Sequence, residues 1–173
     1  MSREKTRKIA ILGVIAAFGA ILSYIEAIID FGIFIPGVKL GLANIAVVIT
    51  LYIYGYKDAL IINIIRIIIV GLLFGNLFSI SFSIGGALIS YIIMALLKKT
   101  DIFSPIGVSV AGGVAHNVGQ LMIASFVIES YSIINYLPIL MVAGIICGLV
   151  IGIIGSMVIR YISIILRKRE MAW

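Results

Sequence analysis

Long apolar runs separated by short polar turns constrain this chain more than any other feature. The first run covers residues 9–29, and hydrophobic side chains make up 63% of the 173 residues while charged ones make up 12%. Soluble domains are about half apolar and about a quarter charged. The sequence therefore predicts an all-α integral membrane protein with a single membrane domain over residues 1–173. Because the first run is longer than the apolar core of a signal peptide, we interpret it as a membrane helix.

Six membrane-spanning helices are predicted, at about residues 9–29, 40–54, 59–73, 82–97, 106–128 and 136–166. The first is long enough to cross about 30 Å of hydrocarbon. The second and third have about 15 residues each, which reach only about 23 Å at 1.5 Å per residue. We therefore expect non-helical backbone beside them, sheltered inside the protein.

The positive charges predict the orientation of this bundle. The net charge is +6, and every lysine and arginine except Lys39 and Arg66 falls on the predicted side of the two termini. Basic loops stay in the cytoplasm, so we expect a multi-pass protein of the bacterial plasma membrane with both termini cytoplasmic. Since the charges follow the membrane topology, membrane lipid is the predicted partner and nucleic acid is not.

The segment at residues 35–44 joins the first two helices on the outer side and contains a lysine remote from the other cations. Pro36 fixes φ and Gly37 frees it, so the chain is expected to turn here and begin a helix near Leu40. The first amides of that helix lack intrahelical partners and carry the positive end of its dipole. With Lys39 beside them, they suit a carboxylate, a phosphate or a ring carbonyl. Alternatively, the segment is a hinge whose lysine reaches the lipid headgroups.

Polar side chains within the predicted spans indicate a candidate ligand site. Such groups are costly in lipid and usually face a cavity or a partner. Four helices bring them to their outer or middle thirds, which predicts an outward-facing pocket. The predicted ligand-binding residues are Lys39, Asn44, Arg66, His116, Asn117, Gln120 and Glu26.

Each of these residues also has a structural interpretation. Arg66 can form an ion pair with Glu26 or Asp30. His116 can be a hydrogen-bonded packing residue, and Asn117 and Gln120 can join helices. The acidic pair on the first helix can cap the membrane interface.

Small residues on the first helix form a second pattern. They are spaced so that another helix can approach closely. The partner is either a helix of the same bundle or a separate membrane subunit. The predicted docking residues are Gly13, Ala16, Ala17 and Ala20.

The stretch PGVKLGLANI at residues 36–45, the stretch AHNVGQ at residues 115–120 and the six-span layout resemble one bacterial family. It is known both as heptaprenyl diphosphate synthase component I and as the "Gx transporter" family. Its layout is similar to the substrate-binding S components of energy-coupling factor (ECF) vitamin transporters. The resemblance implies a lid over the ligand at Ile35, Pro36 and Gly37, and docking of the coupling subunit on Ala16 and Ala20.

Catalysis is not predicted. Prenyl diphosphate synthases hold Mg²⁺ and diphosphate with clustered aspartates, because magnesium needs several oxygen ligands. The seven acidic residues of this chain form no such cluster, and no Walker motif, Ser-His-Asp set or His/Cys metal site is present. No cofactor or metal is therefore expected. The single cysteine, Cys147, excludes an intrachain disulfide.

Three functions remain open from the sequence. The first is a substrate-capture subunit for uptake of a vitamin-like or anionic molecule, with separate coupling and ATPase subunits and with Phe31, Phe34, Phe74 and Phe78 covering an apolar part. The second is a non-catalytic membrane subunit in isoprenoid or quinone metabolism. The third is a structural subunit of a membrane complex.

Overall fold

The computed structural model describes residues 3–28, 41–74 and 77–170, and this part of the chain is helical, without strands. Six α-helices follow one another, with a short 3-10 helix, Tyr131–Tyr136, before the last. This confirms the all-α prediction. The α-helices are α1 Arg3–Ile28, α2 Asn44–Ile53, α3 Tyr56–Phe74, α4 Leu77–Lys99, α5 Pro105–Val127 and α6 Leu137–Glu170.

Some helix boundaries differ from the predicted ones. α1 begins six residues early, at Arg3, because the charged residues before the apolar run are themselves good helix formers. α2 begins at Asn44 rather than near Leu40. The cause is Gly41, whose φ of +85° is left-handed and whose carbonyl accepts the Asn44 N–H at 2.9 Å. Gly55, with φ of +92°, separates α2 from α3 in the same way.

Helices α4, α5 and α6 pack with their backbones in contact at glycines. A Cβ on Gly119 of α5 would lie 2.7 Å from the Gly85 carbonyl oxygen of α4. On the other side of α5, a Cβ on Gly144 would lie 2.9 Å from the Gly113 carbonyl oxygen, and one on Gly148 2.6 Å from the Val110 Cα. Only glycine allows helices to approach this closely. We call these three helices the glycine-packed half.

Helices α1, α2 and α3 form the other half, which packs mainly through branched aliphatic side chains. Every residue of α2 from Asn44 to Leu51 is buried, as expected for a helix that is apolar all round. Ile45, Ala46 and Ile49 form a core with Ile15 of α1 and Ile62 of α3. We call these helices the aliphatic half.

Several basic residues meet at one end of the bundle. Lys8 of α1 forms an ion pair with Asp58 of α3 at 2.7 Å. Lys98, at the end of α4, donates to the Leu51 carbonyl of α2 and lies 5.0 Å from the Tyr56 ring centre. The start of α1, the α2–α3 turn and the end of α4 therefore lie together, as the charge pattern predicted.

Four of the described helices are long and apolar enough to cross a membrane: α1, α4, α5, and α6 with the turn before it. Their outer faces carry large exposed apolar side chains, among them Phe126 at 83% exposure and Met157 at 67%. The chain is thus a membrane protein. Of the other two helices, α2 has 10 residues and α3 carries Lys57, Asp58 and Arg66. The prediction of six spans is therefore confirmed only as six helices, of which four fit a span.

Candidate functional site

A small cavity lies where α1, α3, α4 and α5 meet. Its volume is about 20 Å³, enough for about one water molecule. The wall combines apolar residues of α3 with polar side chains from all four helices. We call these polar side chains the seam cluster, because they lie between the aliphatic half and the glycine-packed half: Ser23, Glu26, Arg66, Ser83 and His116.

Arg66 is the cation of the seam cluster and is only 5% exposed. Its Nη1 donates to the Ser23 hydroxyl at 3.1 Å, and its Nη2 donates to the Asn63 side-chain oxygen at 2.6 Å. Both acceptors are neutral. The Arg66 Nε has no hydrogen-bond partner among the described residues. The guanidinium is thus fixed on one side while its Nε–H remains available for a further acceptor.

Asn63 fixes that arginine in turn. The Asn63 side-chain nitrogen donates to the Ala87 carbonyl of α4 at 3.2 Å, so its amide orientation is set by the glycine-packed half. Its oxygen is then turned towards Arg66. Asn63 therefore links the cation to both halves of the bundle.

Glu26 is the buried anion of the cluster, at 7% exposure. Its Oε1 accepts the Gly41 N–H at 2.6 Å, which ties the end of α1 to the turn before α2. The Arg66 guanidinium, which donates to Ser23 and Asn63, also interacts with the Glu26 charge. Both charges line the same cavity.

Gly41 fits closely between the two halves. Besides its positive φ, a Cβ at this position would lie 3.1 Å from the Asn44 side-chain nitrogen and 3.1 Å from the His116 Cδ2. On the other side of the imidazole, a Cβ on Gly86 would lie 3.0 Å from the His116 Cε1. Two glycines therefore sandwich the histidine ring and fix its place in the cluster.

The remaining polar residues of the predicted site lie beside the cavity. Asn44, 3% exposed, donates to the Ser90 hydroxyl at 3.4 Å. Asn117 faces α6 rather than the cavity. Its side-chain nitrogen donates to the Leu140 carbonyl at 2.7 Å, so it joins α5 to α6. Gln120 is fully buried and packs against Gly86 of α4. The structure brings together Glu26, Arg66 and His116, with Asn44 and Gln120 adjacent and Asn117 apart.

Other predicted residues fall outside the described part of the chain. These are Lys39 and the lid residues Ile35, Pro36 and Gly37, together with Asp30, Phe31 and Phe34. The side chains of Phe74 and Phe78 are likewise outside it.

The predicted docking residues divide between two faces of α1. Ala16 is buried at 7% and belongs to the core with Ile45 and Ala46, so it packs within the bundle rather than on a partner. Ala20 is half-buried, whereas Gly13 and Ala17 are exposed. A Cβ on Gly13 would meet nothing within 4 Å among the described residues. A docking surface on α1 would thus use Gly13 and Ala17.

Three site residues were not predicted from the sequence. Ser23 lies three residues before Glu26, and this helical spacing was a usable signal. Ser83 follows Ser81, whose hydroxyl donates to the Leu77 carbonyl of the same helix, so the run of serines did not indicate which one lines the cavity. Gly41 was taken for a helical residue, and its conformation is set by tertiary contacts.

A second, larger concavity lies on the outer surface of the bundle, between the end of α5 and the start of α6. Its volume is about 660 Å³. The wall is mostly apolar, and Glu129 and Tyr131 mark the end near the α5–α6 turn. We call it the apolar groove; its main apolar residues are Val118, Leu121, Met122, Phe126, Ile134 and Leu137.

The described part of the seam cluster contains charged and hydrogen-bonding groups, but it contains no set of side chains that could hold a metal ion. No group of three or more His, Cys, Asp or Glu residues that could hold a metal ion occurs in the described ranges. The cluster offers one cation, one carboxylate, one imidazole and two hydroxyls around the cavity. This combination suits recognition of a polar group by charge-assisted hydrogen bonds.

The sequence of the chain is similar to that of a known protein family. A family model described as heptaprenyl diphosphate synthase component I matches residues 15–158, which include the whole seam cluster. No curated protein matches the chain, and no solved structure does.

Proposed function

Given that this chain belongs to the heptaprenyl diphosphate synthase component I family, we propose that it is a non-catalytic membrane subunit whose seam cluster binds a small organic molecule through an anionic group. In this proposal both termini are cytoplasmic and the cluster is open to the outside. The chain acts like an ECF S component: it captures a vitamin-like or anionic molecule for ATP-driven uptake. Separate coupling and ATPase subunits supply the energy.

The observation that carries the proposal is the state of Arg66. A buried cation is costly in a membrane, and such residues usually mark a substrate pathway. Arg66 is 5% exposed, its two terminal nitrogens donate to neutral oxygens, and its Nε lacks a partner in the described chain. An incoming carboxylate or phosphate oxygen would accept from this Nε–H in a charge-assisted hydrogen bond.

The size of the cavity limits how the ligand enters. At about 20 Å³, it admits one functional group and excludes the body of a vitamin-sized molecule. Binding therefore requires the two halves to separate at the seam. We expect the aliphatic half to move, since the glycine-packed half is held by direct backbone contacts.

The experiment is native mass spectrometry of the chain purified from membranes of its own cells. We expect a co-purifying small molecule on the wild-type chain and its loss in Arg66→Gln. Arg160→Gln is the matched control, because Arg160 is an exposed arginine remote from the cluster. If Arg66→Gln retains the same bound molecule as Arg160→Gln, the anion-binding proposal is wrong.

A second candidate function is favoured by the apolar groove and the family description. The description names one component of a heptaprenyl diphosphate synthase, so the chain would be a membrane subunit that assists a second component. The groove, of about 660 Å³, has room for an isoprenoid chain. However, the charged residue on its wall is Glu129, and a carboxylate repels a diphosphate.

This second candidate predicts a lipid with an uncharged head in the groove. Lipid extraction from the purified chain should yield an enriched prenyl lipid, and Phe126→Ala should reduce that enrichment. Leu72→Ala, on another exposed apolar position, is the control. Extracted lipid with the composition of the bulk membrane would rule out a specific prenyl site.

A further inference from the structure

Two non-glycine residues of the described chain have positive φ, and both are acids that follow the end of a helix. Asp101, with φ of +53°, comes after α4, and Glu129, with φ of +52°, comes after α5. Such φ values are uncommon for residues other than glycine, and aspartate adopts them more readily than glutamate. The C-terminus of a helix also carries the negative end of its dipole, which disfavours a carboxylate beside it. Both positions therefore combine backbone strain with electrostatic repulsion.

The two positions differ in how that repulsion is balanced. The last turn of α4 contains Lys98 and Lys99, and the Lys98 ammonium interacts with the Asp101 charge. The last turn of α5 contains no basic residue. Within the described ranges, no lysine or arginine forms an ion pair with the exposed Glu129 carboxylate. The end of α5 thus lacks the cation that the end of α4 has.

Glu129 lies at one end of the apolar groove, so a ligand in the groove can reach its carboxylate. Tyr131 belongs to the same wall, and its side chain is 85% exposed. The face of an aromatic ring attracts a cation. The rest of the wall is mostly apolar, and the volume of about 660 Å³ is in the range of pockets that hold small organic molecules. The groove therefore offers space for an apolar chain, with a carboxylate and an aromatic ring where the chain would end.

We infer that the apolar groove binds an ethanolamine phospholipid, a membrane lipid whose head group carries an ammonium. Its acyl chain packs against Leu121, Met122 and Phe126, and its ammonium donates to the Glu129 carboxylate beside the Tyr131 ring. The bound cation balances the Glu129 charge and the negative end of the α5 dipole. This inference goes beyond the proposed function, because it concerns the groove and not the seam cluster.

Native mass spectrometry of the purified full chain in detergent tests the inference. Phosphatidylethanolamine and phosphatidylglycerol with the same acyl chains are added in equal amounts, and the lipids retained on the chain are compared. An exposed ion pair together with a cation–π contact favours the ammonium by about fivefold. We therefore expect the wild-type chain to retain the ethanolamine lipid in preference to the glycerol lipid by that factor.

Two substitutions separate the carboxylate from the backbone strain at position 129. Glu129→Gln removes the charge and keeps a side chain of similar size, whereas Glu129→Gly removes the charge and relieves the strain of the positive φ. Both variants should retain the two lipids about equally, and Glu129→Gly should fold at least as well as the wild type. Asp101→Asn is the matched control, because it removes an acid of nearly the same φ that lies before α5 rather than after it. This control should keep the preference of the wild type.

Each outcome bears directly on the groove. Loss of the preference in both Glu129 variants and its retention in Asp101→Asn would support the inference. Equal retention of the two lipids by the wild-type chain would overturn it, as would a preference that survives Glu129→Gln or disappears in Asp101→Asn. A prenyl lipid with an uncharged head that displaces the ethanolamine lipid would also overturn it and favour the second candidate function. Arg66 takes no part in these measurements, so anion capture at the seam cluster is tested separately.

Discussion

The two halves of this bundle are built in different ways, and the candidate site lies between them. In the glycine-packed half, α4, α5 and α6 touch backbone to backbone, as at Gly85 with Gly119 and Gly113 with Gly144. In the aliphatic half, α1, α2 and α3 meet through aliphatic side chains, in clusters that also take in Met94 of α4, Val108 of α5 and Ile151 of α6. Backbone contacts at glycine permit little rearrangement, whereas aliphatic side chains can change rotamer and slide.

This difference assigns a role to each half. The glycine-packed half supplies the fixed wall of the cavity, with His116 of α5 packed against Gly86 of α4. The aliphatic half supplies the two charges, Glu26 and Arg66. A site of this kind can open by movement of one half while the other keeps its geometry.

The largest effect is expected from a methyl group within the glycine-packed half. Gly144→Ala places a Cβ 2.9 Å from the Gly113 carbonyl oxygen, so α5 and α6 must move apart. We expect a loss of about 2–3 kcal/mol of stability, measured as a lower unfolding temperature in detergent. The control is Gly13→Ala on α1, where a Cβ meets nothing within 4 Å in the described chain. If the unfolding temperature falls equally in the two variants, the glycine contacts between α5 and α6 are not tighter than the surroundings of α1.

A somewhat smaller effect is expected at Asn117. Asn117→Ala removes the hydrogen bond to the Leu140 carbonyl, which keeps its bond within α6, so the cost is about 0.5–1.5 kcal/mol. Because Asn117 joins α5 to α6, ligand binding at the seam should be unchanged once the variant is folded. A folded Asn117→Ala chain that has lost its ligand would place Asn117 in the site after all.

Gly41 and Gly55, the two described glycines with positive φ, form a matched pair of positions for substitution. Gly55→Ala introduces only backbone strain, about 1 kcal/mol, because a Cβ there meets nothing within 4 Å among the described residues. Gly41→Ala adds contacts at 3.1 Å with Asn44 and His116, and should therefore lose more stability and also ligand affinity. The pair is compared by unfolding temperature and by ligand retention. Identical behaviour of the two variants would mean that Gly41 has no part in the site.

The smallest effect is expected at the end remote from the site. Lys98→Met removes the hydrogen bond to the Leu51 carbonyl and the contact with the Tyr56 ring, at a cost of about 1 kcal/mol. Ligand retention should not change. A loss of binding in this variant would show that the two ends of the aliphatic half are coupled.

The sequence predicted the helices well because apolar runs report directly on membrane segments. It also singled out Glu26, Arg66 and His116 as polar residues in apolar runs, and the structure places all three around one cavity. The sequence could not show which face of each helix packs inside the bundle and which face is exposed. Ala16 and Ala17 are neighbours on α1, yet Ala16 is buried in the core and Ala17 is exposed. Because lipid is as apolar as a protein core, hydropathy does not distinguish these two surroundings.

The same limit applies to the polar residues of α5. Consecutive residues on a helix point about 100° apart, so His116 and Asn117 cannot face the same cavity. Which of them lines it depends on the neighbouring helices, through Gly86 on α4 and Leu140 on α6. The start of α2 was missed for a similar reason, because the positive φ of Gly41 is stabilised by Glu26 from another helix.

Accessibility of the seam to water from outside the cell tests the central claim most directly. Ser83→Cys and Ser109→Cys are made in a Cys147→Ala background and treated in intact cells with a membrane-impermeant thiol reagent. Both serines are buried, at 9% and 3% exposure, but Ser83 lines the cavity whereas Ser109 lies against Gly148 and Gly152 of α6. The account predicts that the reagent modifies the cysteine at position 83 and leaves the one at 109 unmodified. Protection of both positions would contradict an outward-opening site at the seam.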